Sequence, residues 1–340
     1  MLIQARLLMF QREKTMKAAV YDECGAPEVL NYKEVPDPKL SASDILIDVE
    51  AISIEGGDLF NRRLTPPPKP DYIVGYASAG TVIAVGEQVT SRKVGDRVTG
   101  FASDGSHASL RALPVNQTWL VPDGVALAEA AAVPISFGTA YHCLFARGAL
   151  QAGEIVLVQA AAGGVGLAAV QLAKNAGARV IAVSSGADRL STLQSLGVDH
   201  VIDHHRSDVA EAVLELTAGE GAKLVVDPVG TTLPASLRAL SSDGRLVFVG
   251  NAGGGDLTLD LWPALQANQA LFGVFMGTKF TVPQVSATVD TLLSQVAQSK
   301  FRVFLDKQFP LASAAAAHAY AEYGRPFGRV ILLPRQGALA

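Results

Sequence analysis

"VLVQAAAGGVGLAAVQLA", residues 156–173, joins a short apolar run to an alanine-rich apolar segment through a glycine cluster. The run reads as a strand, the cluster as a tight turn and the segment as a helix. Its spacing, Ala161-x-Gly163-x-x-Gly166, is a dinucleotide fingerprint with alanine in the first glycine place. In that reading Gly163 lets the main chain approach a pyrophosphate and Gly166 lets the helix pack close to the sheet. The amides of Gly164 and Val165 face an anion at the helix N-terminus. A plain strand–helix turn would show the same letters, so the surroundings must decide.

Those surroundings repeat the strand–helix unit. Apolar strands at 154–160, 179–185, 200–203, 223–230 and 245–250 alternate with helical segments near 165–176, 187–196, 208–218 and 232–240. Continuous apolar strands between helices predict a parallel sheet covered on both faces, hence a doubly wound α/β domain over residues 127–265. The stretch before it, residues 16–126, is β-rich. "ILIDVEAISI" (45–54) and "AGTVIAVG" (79–86) partly alternate, "KVGDRVTG" (93–100) turns into a strand, and "TPPPKP" (65–70) must be a loop. Helical periodicity is scarce there, which predicts a twisted antiparallel sheet or partial barrel. Residues 266–340 exceed what a nucleotide domain needs. They hold a strand, helices over 283–298 and 312–323 and a last strand, "GRVILLP", expected to return to the first domain. Residues 1–15 are read as an extension, because "MKAAVY" at Met16 opens the first strand.

Composition narrows the class. The 340 residues are 49% hydrophobic and 18% charged, with a net charge of −4 and no Lys/Arg block. That argues against a nucleic-acid surface, and no apolar run reaches membrane-spanning length. Cys24 and Cys143 stand alone, which excludes a cysteine-based structural zinc site and suits a reducing cytoplasm.

The next strand end selects the dinucleotide. An NAD site places Asp or Glu there for the ribose hydroxyls. This chain has "VSSGADR", with Ser184, Ser185 and then Arg189. Two hydroxyls and a guanidinium suit a 2′-phosphate, so NADPH is the expected cofactor. The alternative makes Arg189 an exposed helix residue and Ser185 a helix cap.

In order along the chain, "MKAAVY", "GYASAGTVIAVGEQVTSRKVGDRV", "LVPDGVALAEAAAVPISFGTAYHCLF", the glycine loop with "VQLAKNAGARVIAV", "LGVDHVIDH", "GRLVFVG" and "GRVILLP" resemble the medium-chain dehydrogenase/reductase superfamily, in its zinc-free quinone oxidoreductase branch. The resemblance implies a GroES-like catalytic domain built from both chain ends around a Rossmann domain, with the cofactor between them. It places Thr139 near the nicotinamide and His204 beside the adenosine phosphate with Ser185 and Arg189. Val249, Asn251, Phe275 and Met276 would line the nicotinamide end, and Phe327 would approach from the C-terminal strand. It also implies a homodimer, with a strand like "ALFGVFM" pairing across the two-fold axis.

Where zinc-dependent relatives place a cysteine before a conserved aspartate, this chain has Glu55, three residues before Asp58. Where they place His-Glu, it has Tyr76-Ala77. A catalytic zinc needs three protein ligands, so no metal is expected. Hydride transfer must then rely on a proton or hydrogen-bond donor, and quinones or conjugated enones, which delocalise the developing charge, are the expected substrates. The candidate catalytic residues are Tyr76, Glu55 and Asp58, with Tyr72 as a further donor. A sensor or structural protein that binds NADPH with little catalysis is the competing reading, and Glu55 keeps it open.

Overall fold

The computed structural model describes residues 15–335. Residues 1–14 of the expected extension lie outside it, whereas Thr15 already belongs to the first strand.

Two large sheets and a separate two-stranded ribbon make up the β-structure of the described residues. β1 (Thr15–Val20) and β2 (Asn31–Pro36) form a hairpin-like ribbon. They lead into β3 (Asp44–Ser53), β4 (Ala77–Val85), β5 (Arg97–Phe101), β6 (Leu110–Pro114) and β7 (Thr118–Leu120). α1 (Gly56–Leu64) intervenes between β3 and β4. Its opening pair of glycines and its polar middle hid it from a periodicity reading. The second sheet holds β8 (Ile155–Val158), β9 (Arg179–Ser184), β10 (His200–Asp203), β11 (Ala222–Asp227), β12 (Leu240–Phe248) and β13 (Ala270–Gly273). All its pairings are parallel, in the order β10-β9-β8-β11-β12-β13. That order reverses between β8 and β11, which puts a binding crevice at the C-terminal ends of these strands.

α2 (Leu127–Val133) leads into β8, and crossovers run through α3 (Gly164–Asn175), α4 (Ala187–Ser195), α5 (Val209–Leu216), α6 (Leu233–Arg238) and α7 (Trp262–Gln266). α2 continues through two π-helical turns, Pro134–Gly138 and His142–Arg147. The segment was not legible as a helix because residues 130–134 are all buried, which erases the amphipathic period. After β13, α8 (Pro283–Ala297) packs Val289, Leu292 and Leu293 into the core, and Trp119 donates from Nε1 to Ser286. β14 (Leu305–Pro310), α9 (Ala314–Tyr323) and β15 (Arg329–Leu333) then return to the first sheet, whose order is β14-β15-β3-β4-β5-β7 with β6 on β3. The protein is thus a β-rich GroES-like unit joined to a Rossmann-type α/β unit. One apolar cluster spans both, from Ala51, Ala79 and Phe101 to Val156, Val158 and Leu167.

The β-rich unit also buries two histidines against each other. Nε2 of His107 lies 2.8 Å from Nε2 of His318 on α9, and Nδ1 of His107 pairs with Ser106 Oγ at 3.1 Å. Burial, with the Arg111 charge behind it, holds the His107 pKa down at about 3. Burial, His107 and Arg62 push His318 well below its ordinary value. Both rings are therefore neutral in the fold, while the unfolded chain takes up protons below pH 6.5. Stability is full above that pH and falls as the pH drops below it, by up to about 1.4 kcal/mol per pH unit for each group. Denaturant unfolding at pH 7 and pH 5 should show this loss, and His318→Gln should reduce the slope. An unchanged slope in that variant contradicts the assignment.

Candidate active site

The glycine loop ends β8 and starts α3, with Gly163 as the helix cap. The first turn of a helix has N–H groups without partners inside it, here those of Gly164, Val165 and Gly166. The first bond back to the cap is Leu167 N–H to Gly163 O, at 2.8 Å. A Cβ on Gly166 would lie 2.3 Å from Ala160 O and 2.6 Å from Ala161 Cα, so only glycine lets this helix sit so close to its strand. Ala161 is fully buried and donates its N–H to Val183 O at 2.8 Å. The loop is therefore a cradle of free amides on a 12-residue helix, which fits a diphosphate.

One strand over, Ser184 closes β9 and Ser185 follows it, both buried. Arg189 folds back onto them: Nε donates to Ser185 O at 2.8 Å and Nη2 to Ser185 Oγ at 3.0 Å. Its Nη1 reaches Arg325 O at 3.3 Å, and the Arg325 charge bears on Arg189 and on the exposed His204. His204 rests its ring on His205, with centroids 4.4 Å apart. Asp203 approaches from β10, but main-chain amides, first that of His205 and then that of Gly186, hold its pKa low. Ser185, Arg189 and Arg325 thus gather a hydroxyl and two cationic groups at one strand tip, with the His204 imidazole, its pKa lowered by burial, beside them.

Across the cleft, Glu55 and Asp58 are both buried. Asp58 spends its carboxylate on main-chain amides: Glu55 N donates to Oδ2 at 2.9 Å and Tyr76 N to Oδ1 at 3.1 Å. Burial nevertheless pushes its pKa up to about 8. Glu55 accepts from Ser53 Oγ at 2.7 Å and pairs with Arg329 Nη2 at 2.5 Å. Tyr76 is half-buried. Its ring meets Phe101 edge-on at 5.8 Å, its hydroxyl accepts from Asn61 Nδ2 at 2.9 Å, and burial raises its pKa. Tyr72 is otherwise engaged, because its hydroxyl donates to Asp104 at 3.0 Å.

Comparison with known proteins matches this architecture along its length. Residues 41–137 match the alcohol dehydrogenase GroES-like domain, and residues 164–294 match the family described as zinc-binding dehydrogenase. A quinone oxidoreductase of Pseudomonas aeruginosa is 32% identical over 94% of this chain and 99% of its own. The chain belongs to the quinone oxidoreductase branch of the medium-chain dehydrogenase/reductase superfamily. A 2-haloacrylate reductase of a Burkholderia species is 30% identical over 94% of this chain and 99% of its own. The crystal structure of Escherichia coli quinone oxidoreductase complexed with NADPH superposes with a TM-score of 0.89 at 29% identity, covering 94% of this chain and 100% of that one.

Within this quinone oxidoreductase branch, the residues at the zinc-ligand positions do not fit zinc. Glu55 is neutralised by Arg329, Tyr76 is a protonated phenol, and both cysteines lie elsewhere in the sequence. Among the described residues, no group of three or more His, Cys, Asp or Glu could hold a metal ion.

The remaining predicted residues scatter more. Thr139 is buried one helical turn beyond Ser136. Val249 donates its N–H to Asp227 O at 2.8 Å, and Asn251 donates to Gly255 O at 2.8 Å while its Oδ1 is buried without a partner. Phe327 packs edge-on against Phe304 at 5.4 Å. Met276 is buried in the core, whereas Phe275 is 70% exposed. Phe275 lines a separate hollow of about 320 Å³ with His142, Arg147 and Lys279.

Three arginines escaped the sequence reading. Arg325 joins the Arg189 cluster from the far end of the chain. Buried Arg111 donates to the carbonyls of Gly75, Tyr76 and Asp104 and to Ser78 Oγ, which clamps the loop carrying Tyr76. Arg329 reaches the glycine loop. All three act across long sequence separations, and only the "GR" of "GRVILLP" carried a signal.

Proposed function

We propose that this protein is an NADPH-dependent reductase that delivers hydride, without a metal, to a quinone or an α,β-unsaturated carbonyl. The observation that carries this reading is a pair of donor-rich clusters at adjacent strand tips. The free amides of α3 follow β8, and the Ser185–Arg189–Arg325 cluster follows β9. That spacing suits a dinucleotide diphosphate and a 2′-phosphate in turn. The E. coli quinone oxidoreductase crystallised with NADPH and the 2-haloacrylate reductase of Burkholderia support it by likeness.

A reduced nicotinamide bound there supplies the hydride. The chain must then meet the charge that develops on the acceptor oxygen. Tyr76 is the group for this. Asp58 holds its N–H, Arg111 holds its carbonyl, Phe101 holds its ring, and Asn61 donates to its oxygen. Because the phenol oxygen accepts from Asn61, its own proton stays free to point at a substrate oxygen. Burial raises the phenol pKa further, so Tyr76 is protonated at neutral pH. Conjugated acceptors delocalise charge, so one such donor suffices. The competing reading, an NADPH-binding sensor with little turnover, draws on Glu55, which is withdrawn into an ion pair and is no free donor.

Three measurements follow from this reading. Purified protein should oxidise NADPH with 1,2-naphthoquinone or an alkenal, unaffected by chelator, and Tyr76→Phe should lower kcat about a hundredfold with KM little changed. Tight NADPH binding with no turnover on either acceptor class decides for the sensor. Arg189→Ala should weaken NADPH binding roughly ten- to a hundredfold and leave NADH nearly unchanged; equal losses refute the 2′-phosphate assignment. We also propose a homodimer. β13 is the edge of its sheet, and Leu261, Trp262, Leu265 and Phe275 near it in sequence are exposed apolar side chains that a second copy would cover. Sedimentation at micromolar concentration should report two copies, and a monomer there contradicts the pairing.

A further inference from the structure

Glu55 sits where the cleft should offer substrate chemistry, yet its side chain turns away. It is 1% exposed. Its Oε2 pairs with Arg329 Nη2 at 2.5 Å, and its Oε1 accepts from Ser53. Arg329 Nε donates to Ser136 Oγ at 2.8 Å. The guanidinium also lies directly on the glycine loop. A Cβ added to Gly164 would fall 2.1 Å from Nε and 2.5 Å from Cζ. Gly164 is the first residue of α3 and carries one of its free amides. The arginine that lies on the anion cradle is thus tied to a buried carboxylate, and buried Asp58 stands three residues further on.

We infer that Glu55 is a built-in counter-anion. It competes with the cofactor diphosphate for Arg329 and thereby sets how tightly the dinucleotide is held. Glu55 is a positioning residue here, because it acts through Arg329 and touches no reacting atom. Diphosphate and carboxylate seek the same guanidinium, and the carboxylate adds a negative charge where the ligand brings two more. A chain with a neutral side chain at this position leaves Arg329 to the ligand alone. The consequence is weaker cofactor grip and faster release, a step that limits turnover in many reductases.

The inference rests on the dinucleotide reading above, and the test separates the two. Glu55→Gln keeps the shape and the hydrogen-bond acceptor for Ser53 while removing the charge. Fluorescence titration of the purified full chain should show NADPH, NADH and ADP-ribose each binding about tenfold more tightly to this variant, with the NADPH/NADH ratio unchanged. ADP-ribose reads the diphosphate without the nicotinamide. Unchanged or weakened binding of all three overturns the inference. If the wild-type chain binds none of them, the dinucleotide reading itself fails. Should Glu55→Gln not fold, Arg329→Gln carries the test: affinity for all three should fall about tenfold, and undiminished affinity overturns the inference.

Discussion

The structure depends on one close approach, where the start of the last strand meets the glycine loop. Gly163 and Gly328 form a parallel bridge, and Gly328 N–H donates to Ala162 O at 2.9 Å. A Cβ on Gly328, which has φ +99°, would lie 2.2 Å from Phe304 O, so this crossing admits no side chain. Arg329 follows at once and lands on Gly164. The contact fixes the β-rich unit against the α/β unit and puts a cation and a buried carboxylate beside the free amides. The cleft, the anion cradle and the reach of Glu55 all derive from it.

A second fixed point is the loop of Tyr76. Asp58 joins the start of α1 to this loop, and Arg111 gathers the carbonyls on its other side. Buried polar groups that bind main chain cost desolvation, and the hydrogen bonds they make offset part of it while fixing geometry. Here the product is a phenol with its ring, oxygen and both main-chain groups held. That is the preorganisation the proposed donor role of Tyr76 needs.

The sequence exposed the parts whose signals are local. The parallel sheet was legible from five apolar strands between helices. The glycine loop was legible from its spacing, and the Ser185–Arg189 pair from its place one strand later. α1 was hidden by its glycine start, and the helical segment after Leu127 by the unbroken burial of residues 130–134. The site was less legible than the fold for a related reason. Arg325, Arg329 and Arg111 matter through partners up to 274 residues away in the case of Arg329 and Glu55, and no periodicity reports such pairs. Glu55 stood out by its residue type, but whether it faced substrate or a half-buried arginine depended on where β15 lay. Phe275 and Met276, adjacent in sequence, end in different surroundings because one faces the core and the other does not.

In the proposed reaction hydride passes from NADPH to a conjugated acceptor with no metal. Its most direct test gives chelator-treated protein, checked for metal content, a 4-deuterated NADPH of each stereochemistry with an alkenal as acceptor. Deuterium is expected on the β-carbon of the product from one of the two cofactors, at the rate untreated protein shows with the same cofactor. Absence of deuterium from the product with both cofactors, or transfer only after zinc is added back, would contradict it.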